Sequence, residues 1–449
     1  MWKGWSSRKI ASNRSRFWGI SGGPPMNDDS RLSGKIKRQI TQFAGRLTDG
    51  WAKPLRRFVG QMLYGIQAAE DVKVSNIARS LNEKVRLIKT ENRLCRNLAR
   101  EDLTERINRF LMWEGAGVVE ADTVLALDLG DLRKEYAEKM EYLATVRDGS
   151  TGELANGYWL CACLAAHPYG ERILPLYGEL YSCAAEGFQS ENAEMLRAIE
   201  RISQATGQRG IWAIDRGGDR REILKPLIDG RLRFVVRQDG DRHILLPGGR
   251  KYAVREAARW CVTDIERSVE VEHDGRRMRL VLRLGAMEVR LPERSYTPLW
   301  LVVIRGFGQE PIMLLTNVAP AKDREHATWI GDVYLTRWKC EEAYRFTKQA
   351  YRLEDVRVRS YVALRNMYAL VMAVLYFVSV VIGAKAKLSL IFKRVCEKAR
   401  RFYEIATFYQ YAVADGIHRL LFASGGGPAP PPPPADPGQL LLAFAKPPT

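Results

Sequence analysis

The stretch Tyr334–Lys348, YLTRWKCEEAYRFTK, decides how the rest of this 449-residue chain is read. Tyr334, Arg337, Glu341 and Lys348 stand at offsets 0, 3, 7 and 14 within it. On a helix turning about 100° per residue these four lie within roughly 60° of one another, and Arg345 joins the stripe. Glu342 points about 100° away from Glu341, so Glu341 is the acid of that face. A carboxylate flanked by cations suits one task well: the acid holds a metal while the cations grip phosphates around it. The alternative is a surface helix laced by ion pairs such as Arg337 with Glu341.

Working outward, two further acids stand out by position. VVEADTVLALDLGD (118–131) reads as an apolar strand ending in Asp128. GIWAIDRGGDRREIL (210–224) reads as a strand ending in Asp215, followed by a loop and a helix. The carboxyl ends of strands are where α/β sheets place their sites. Between the two lie strand-like YWLCACLAAH (158–167) and RILPLYGELY (172–181), then an amphipathic helix over Asn192–Thr206. Residues 231–318 are strand-rich, whereas Ile40 to about Arg109 and about Ala327 to Ala423 are helical in pattern. Three carboxylates gathered at one point repel strongly without metal, which implies bound cations. Two Mg²⁺ ions about 4 Å apart would activate a nucleophile and stabilise the leaving oxygen of an in-line displacement.

Charge agrees with a polyanionic partner. The chain carries 70 basic and 52 acidic residues, a net +18. Residues 1–110 hold a net +13 and 331–424 a net +8, while 111–330 hold −3. Basic ends neutralise phosphates and an acidic centre suits divalent metal, the alternative being two solvated charged faces. Hydrophobic residues make up 46% of the chain, which excludes wholesale disorder. Seven scattered cysteines fit a reduced compartment without structural metal. The first 25 residues hold no acid and no continuous apolar run, so a basic arm is expected rather than a secretory signal. Met367–Ile382 is apolar for 16 residues, short of the roughly 17–25 of a membrane span, and reads as a buried core helix. Residues 71–100 read as a short helix, a turn and a basic helix, weakly like a helix-turn-helix or equally an ordinary bundle.

The Tyr-x₂-Arg-x₃-Glu-x₆-Lys spacing, with Trp338 after the arginine and Tyr344-Arg345 before the lysine, resembles one large branch of bacterial DDE-type insertion-sequence transposases. The likeness covers about residues 118–385. It implies an α/β fold: an RNase H-like catalytic core interrupted by a β-rich insertion, behind an all-helical N-terminal domain. It implies that Asp128, Asp215 and Glu341 are catalytic and bind two Mg²⁺ ions, for which Mn²⁺ would substitute. Tyr334, Arg337, Arg345 and Lys348 would be DNA-binding. The implied enzyme cleaves terminal inverted repeats and joins the freed 3′-hydroxyl to target DNA, as a homodimer in the synaptic complex. It would be cytoplasmic, associated with the bacterial nucleoid and not with a membrane. A related nuclease, or an inactive relative that only binds DNA, is the alternative. Two departures stand out: Asp128-Leu-Gly-Asp131, where relatives often have Ser or Thr soon after the first aspartate, and Asp215-Arg216-Gly217-Gly218-Asp219, where Asp-Arg-Glu-x-Asp is common. In the insertion, Trp260 and Trp300 are candidates for stacking on an extruded base, although a Trp in an apolar strand is more often core.

The expected organisation is therefore a disordered basic arm (1–39), a helical DNA-binding domain (40–115), the first part of the core (116–230), the insertion (231–318), the second part of the core with C-terminal helices (319–424), and a Pro/Gly-rich disordered tail (425–449). In that tail Gln439, Leu440, Leu442 and Phe444 resemble the short peptides by which bacterial proteins dock on the sliding clamp.

Overall fold

The computed structural model describes residues 26–149, 152–170, 172–273, 276–320, 324–382 and 410–429. Five helices come first: α1 (Met26–Leu47), α2 (Lys53–Ala69), α3 (Val74–Ser80), α4 (Leu87–Leu98) and α5 (Thr104–Ala116). Residues 26–39 are thus helical, not part of a disordered arm, because Leu32, Ile36 and Ile40 repeat at helical spacing and are buried. The link between α3 and α4 spans residues 81–86, longer than the three or four residues usual in a helix-turn-helix.

The sheet follows. Strand β1 (Val124–Arg133) is joined by β2 (Ala144–Arg147), β3 (Leu154–Ala166) and β4 (Ile173–Tyr181). Helix α6 (Glu191–Thr206) starts at Ser190, whose side chain accepts from the Ala193 N–H, and ends at Gly207 in the left-handed conformation. Then come β5 (Ile211–Ile214), α7 (Arg221–Asp229) and β6 (Arg233–Arg237). These strands lie in the order β4-β3-β1-β5-β6. β3 runs antiparallel to β1 and β4, while β5 and β6 run parallel to β1. The strands, the helix and the further strand expected between 118 and 215 are therefore all present. The short β2, whose side chains alternate between buried and exposed, was not read from the sequence.

The expected boundary at residue 231 falls beside a core strand: β6 pairs with β5 through Val235 and Val236, so the central sheet includes it. Beyond it lie β7 (His243–Leu245), β8 (Lys251–Ala253), α8 (Val254–Trp260), β9 (Ile265–His273), β10 (Arg276–Leu291), β11 (Arg294–Arg305) and β12 (Ile312–Thr316). β12 pairs antiparallel with β6, so the strand-rich region extends the central sheet edge-on instead of forming a separate layer.

Helices α9 (Arg324–Leu335), α10 (Trp338–Ala350), α11 (Tyr361–Tyr376, continued by a π turn over Phe377–Val381) and α12 (Gln410–Ser424) close the fold. The apolar run read at 367–382 is α11, long and apolar enough to cross a membrane but buried for most of its length inside the protein. Two fully buried asparagines join the N-terminal helices to this centre. Asn366 on α11 accepts from the Leu103 N–H and donates to the Leu98 and Glu101 carbonyls. Asn108 on α5 exchanges two hydrogen bonds with the backbone of Gly178 on β4. The second pairing closes polar groups on a strand that, among the described residues, otherwise pairs only with β3. One hydrophobic cluster includes residues from Leu32 to Leu421, and a second, with Val124, Val235, Val302 and Ile330, lies apart from it.

Of the expected tail, Gly425 and Ala429 accept hydrogen bonds from Lys37 and Thr41 of α1, so its first residues lie along that helix. The residues proposed for clamp docking, 439–444, and the arm at 1–25 lie outside the described residues.

Replacing Asn366 by Ala strands two buried backbone groups, the Leu103 N–H and the Leu98 carbonyl, and a third, the Glu101 carbonyl, that is partly buried. We expect a loss of about 3 kcal/mol or more, seen as a lower urea midpoint with an unchanged denaturant slope.

Candidate active site

The parallel ladder between β1 and β5 ends at the Leu127–Ile214 pair. The next residue on each strand is Asp128 and Asp215, so two acids distant in sequence emerge side by side where the pairing stops. Asp215 matches its expected position directly after a strand. Asp128 does not end its strand: β1 continues to Arg133 because β3 keeps pairing with it, opposite Ala162 and beyond. The crevice at the end of a parallel pair, and not a strand terminus, positions this acid.

Asp215 caps a 3-10 turn over Arg216–Gly218, its Oδ1 accepting from the Gly217 N–H at 2.8 Å. A Cβ at Gly217 would stand 2.9 Å from that oxygen, and one at Gly218 would stand 2.5 Å from Ile214 Cγ2. The Gly-Gly departure noted in the sequence is therefore what this tight turn requires. Asp219, four residues after Asp215, has a buried side chain that pairs with Arg242 and accepts from the Asp239 N–H.

The third acid arrives on α10. The stripe from Tyr334 to Lys348 was expected on one uninterrupted helix, but the helix breaks at Thr336–Arg337 between α9 and α10. Thr336 turns its hydroxyl back onto the Asp332 carbonyl at 2.7 Å, and the Arg337 N–H bonds only three residues back, to Tyr334. Tyr334 thus belongs to α9 and is fully buried in the apolar cluster with Ile330 and Val333; its hydroxyl has no hydrogen-bond partner among the described residues. Tyr344 fixes α10 against β1. Its hydroxyl donates to the Asp128 carbonyl at 3.0 Å and its ring lies where a Cβ at Gly130 would come within 3.3 Å. Lys339 adds a second anchor, donating to the His167 and Gly170 carbonyls.

Arg337 organises the charges. Its guanidinium, 7% exposed, lies 2.6 Å from Glu341 Oε1 and 3.5 Å from Asp128 Oδ1, about over the Tyr334 ring at 5.6 Å from its centroid. Asp128 is 13% exposed and Glu341 45% exposed. Burial pushes the Asp128 carboxyl up to about 8; Arg337 opposes the rise, and Asp215 and then Glu341 add to it.

The remaining cations of the signature are also held by acids. Lys348, on the same helix, bonds Asp131 Oδ2 at 3.1 Å and Glu354 Oε1 at 3.2 Å. Arg345 pairs with Glu342, the glutamate set aside in the sequence. Neither Asp131 nor Tyr344 was assigned a role from sequence, although both lie in the quoted motifs. Trp260 is exposed at the end of α8, edge-on to Tyr252 at 4.6 Å, while Trp300 is half-buried within β11.

Carboxylate oxygens are hard donors of the kind Mg²⁺ and Mn²⁺ prefer. As arranged, with Arg337 seated between Asp128 and Glu341, the described residues contain no group of three His, Cys, Asp or Glu side chains gathered to hold a metal ion.

No family model matches the chain, and no curated protein matches it. Among solved structures, it is similar to a piggyBac transposase synaptic complex with hairpin DNA, at 9% identity and a TM-score of 0.42, over 91% of this chain and 74% of that one. A likeness this distant carries nothing about chemistry.

A raised carboxyl binds a proton in the folded state that it lacks when unfolded. Stability therefore falls as pH rises from about 4 to about 8. Asp128→Asn removes that dependence. In thermal melts without divalent cations, the variant should gain on wild type progressively between pH 5 and pH 8.

Proposed function

We propose that the chain is a DDE-type transposase, acting on DNA through Asp128, Asp215 and Glu341. One observation carries the reading: Asp128 and Asp215 follow the last pair of the β1–β5 ladder, and a buried arginine, Arg337, joins Asp128 to Glu341 of α10. The strand order β4-β3-β1-β5-β6, antiparallel then parallel, supports an RNase H-like core, in which α10 brings the last acid to the first two. The exposed cations of the N-terminal helices, among them Arg56, Arg57, Lys89 and Arg96, support a phosphate-binding role for that region.

The chemistry proposed is hydrolysis of a phosphodiester at the element's ends, followed by attack of the freed 3′-hydroxyl on target DNA. Asp128, Asp215 and Glu341 would hold Mg²⁺ or Mn²⁺. The metal would supply a nucleophile at neutral pH and neutralise the leaving oxygen. Arg337 would exchange its two carboxylates for a phosphate, and Tyr344 would keep Glu341 in register with Asp128. Two ends brought together call for two copies of the chain, so a homodimer is proposed for the synaptic complex.

A second reading has an observation of its own. Arg337 already bridges Asp128 and Glu341, which suits a relative that binds DNA without cutting it.

Labelled DNA carrying the repeats that flank the gene separates the two. With Mg²⁺, wild type should nick at the repeat end, and Glu341→Gln and Asp128→Asn should each lose about a hundredfold or more, since even outer-shell partners of a metal ligand are felt on that scale. Joined products would mark a transposase, and nicks alone a nuclease. Equal binding with no cutting by any of the three proteins would establish the second reading.

A further inference from the structure

We propose that Asp131 and Glu354 form an internal competitor for DNA: they hold Lys348 in place of a phosphate and thereby weaken binding to any duplex that does not displace them. The inference rests on the DNA-binding reading above and deepens it, because it concerns what sets the affinity.

Lys348 Nζ has carboxylate oxygens at 3.1 and 3.2 Å from two different segments, β1 and the turn after α10. The lysine is 24% exposed and Asp131 11%, so the pair is shielded, while Glu354 at 44% faces solvent. Burial works to lower the Lys348 ammonium, but Asp131 and then Glu354 outweigh it and hold it above its ordinary value. Two negative charges on one positive leave the spot net negative. A phosphate approaching Lys348 therefore meets repulsion until the acids let go. Asp131 is itself fixed, its other oxygen accepting from the Gly149 N–H at 3.2 Å, so the lysine must move and not the aspartate. Arg337 and Arg345 are likewise paired with acids of the chain. At Arg337 the competing acids belong to the proposed catalytic set, whereas at Lys348 they lie outside it and come from two segments other than its own helix, so they can be changed without touching the chemistry. Asp131 and Glu354 are positioning residues in this account, acting on DNA through Lys348.

The test measures binding of the full chain to a short linear duplex of mixed sequence across a salt series, without divalent metal. Asp131→Asn keeps the acceptor for Gly149 and should tighten binding about fivefold at low salt, steepening the slope of log affinity against log salt by about one. Glu354→Gln, exposed and unthreatening to folding, should act in the same direction. In a Lys348→Gln background neither change should alter affinity, which separates competition from a general change in charge. Unchanged or weaker binding by both single variants, with lowered melting temperature for Asp131→Asn, would show a purely structural pair and overturn the inference. If wild type and variants all fail to retain the duplex at low salt, the DNA-binding reading falls, and this inference with it.

Discussion

The parallel pairing of β1 with β5 stops at Leu127 and Ile214, and most of what is distinctive in the molecule depends on that stop. One residue further, each strand presents an aspartate, and the chain after β5 turns away through two glycines packed against Asp215 and Ile214. Were the ladder one residue longer, the two aspartates would lie within the parallel pairing and not in the crevice where it stops. β3 holds β1 straight past the stop, so Gly130 and Asp131 continue as a rail for α10. Tyr344 seats on the glycine and Lys348 on the aspartate. The same rail brings Arg337 and Glu341 to Asp128.

Electrostatics explains why this arrangement is under tension. A shielded carboxyl with two more acids in reach is expensive to ionise, and a single guanidinium offsets only part of the cost. Such a site gains from any added cation, which is the physical sense in which the acids point to divalent metal. Arg337, Arg345 and Lys348 meanwhile are each engaged with acids of the chain, so on the proposed reading DNA and metal would enter by exchanging partners and not by filling vacant charge.

Apart from the short β2, the strands around the candidate site were legible because apolar runs such as VLALD and IWAID are short, bounded and contain β-branched or aromatic residues. The apolar run of α11 was legible in the sequence, but the helix itself is longer than that run, and its burial inside the protein, not its length, marks it as a core helix. What escaped was set by contacts between distant segments. The extension of β1 beyond Asp128 depends on β3, not on its own residues, and the break between α9 and α10 follows from Thr336 bonding backwards. The helical spacing of Tyr334, Arg337, Glu341 and Lys348 correctly put Arg337 beside Glu341, a local i,i+4 relation. It misjudged Tyr334, whose burial against Ile330 and Val333 belongs to the other helix. The two asparagines that join the N-terminal helices to the core carry no sequence signal at all, since a buried Asn and a surface Asn are written alike.

The most direct measurement is a crystal structure of the chain soaked with Mn²⁺, read through the anomalous signal of manganese. The account predicts a peak against Asp128 and Asp215, with Arg337 turned away from Asp128 to make room. Saturating Mn²⁺ with no peak there, and Arg337 still bridging Asp128 and Glu341, would contradict it.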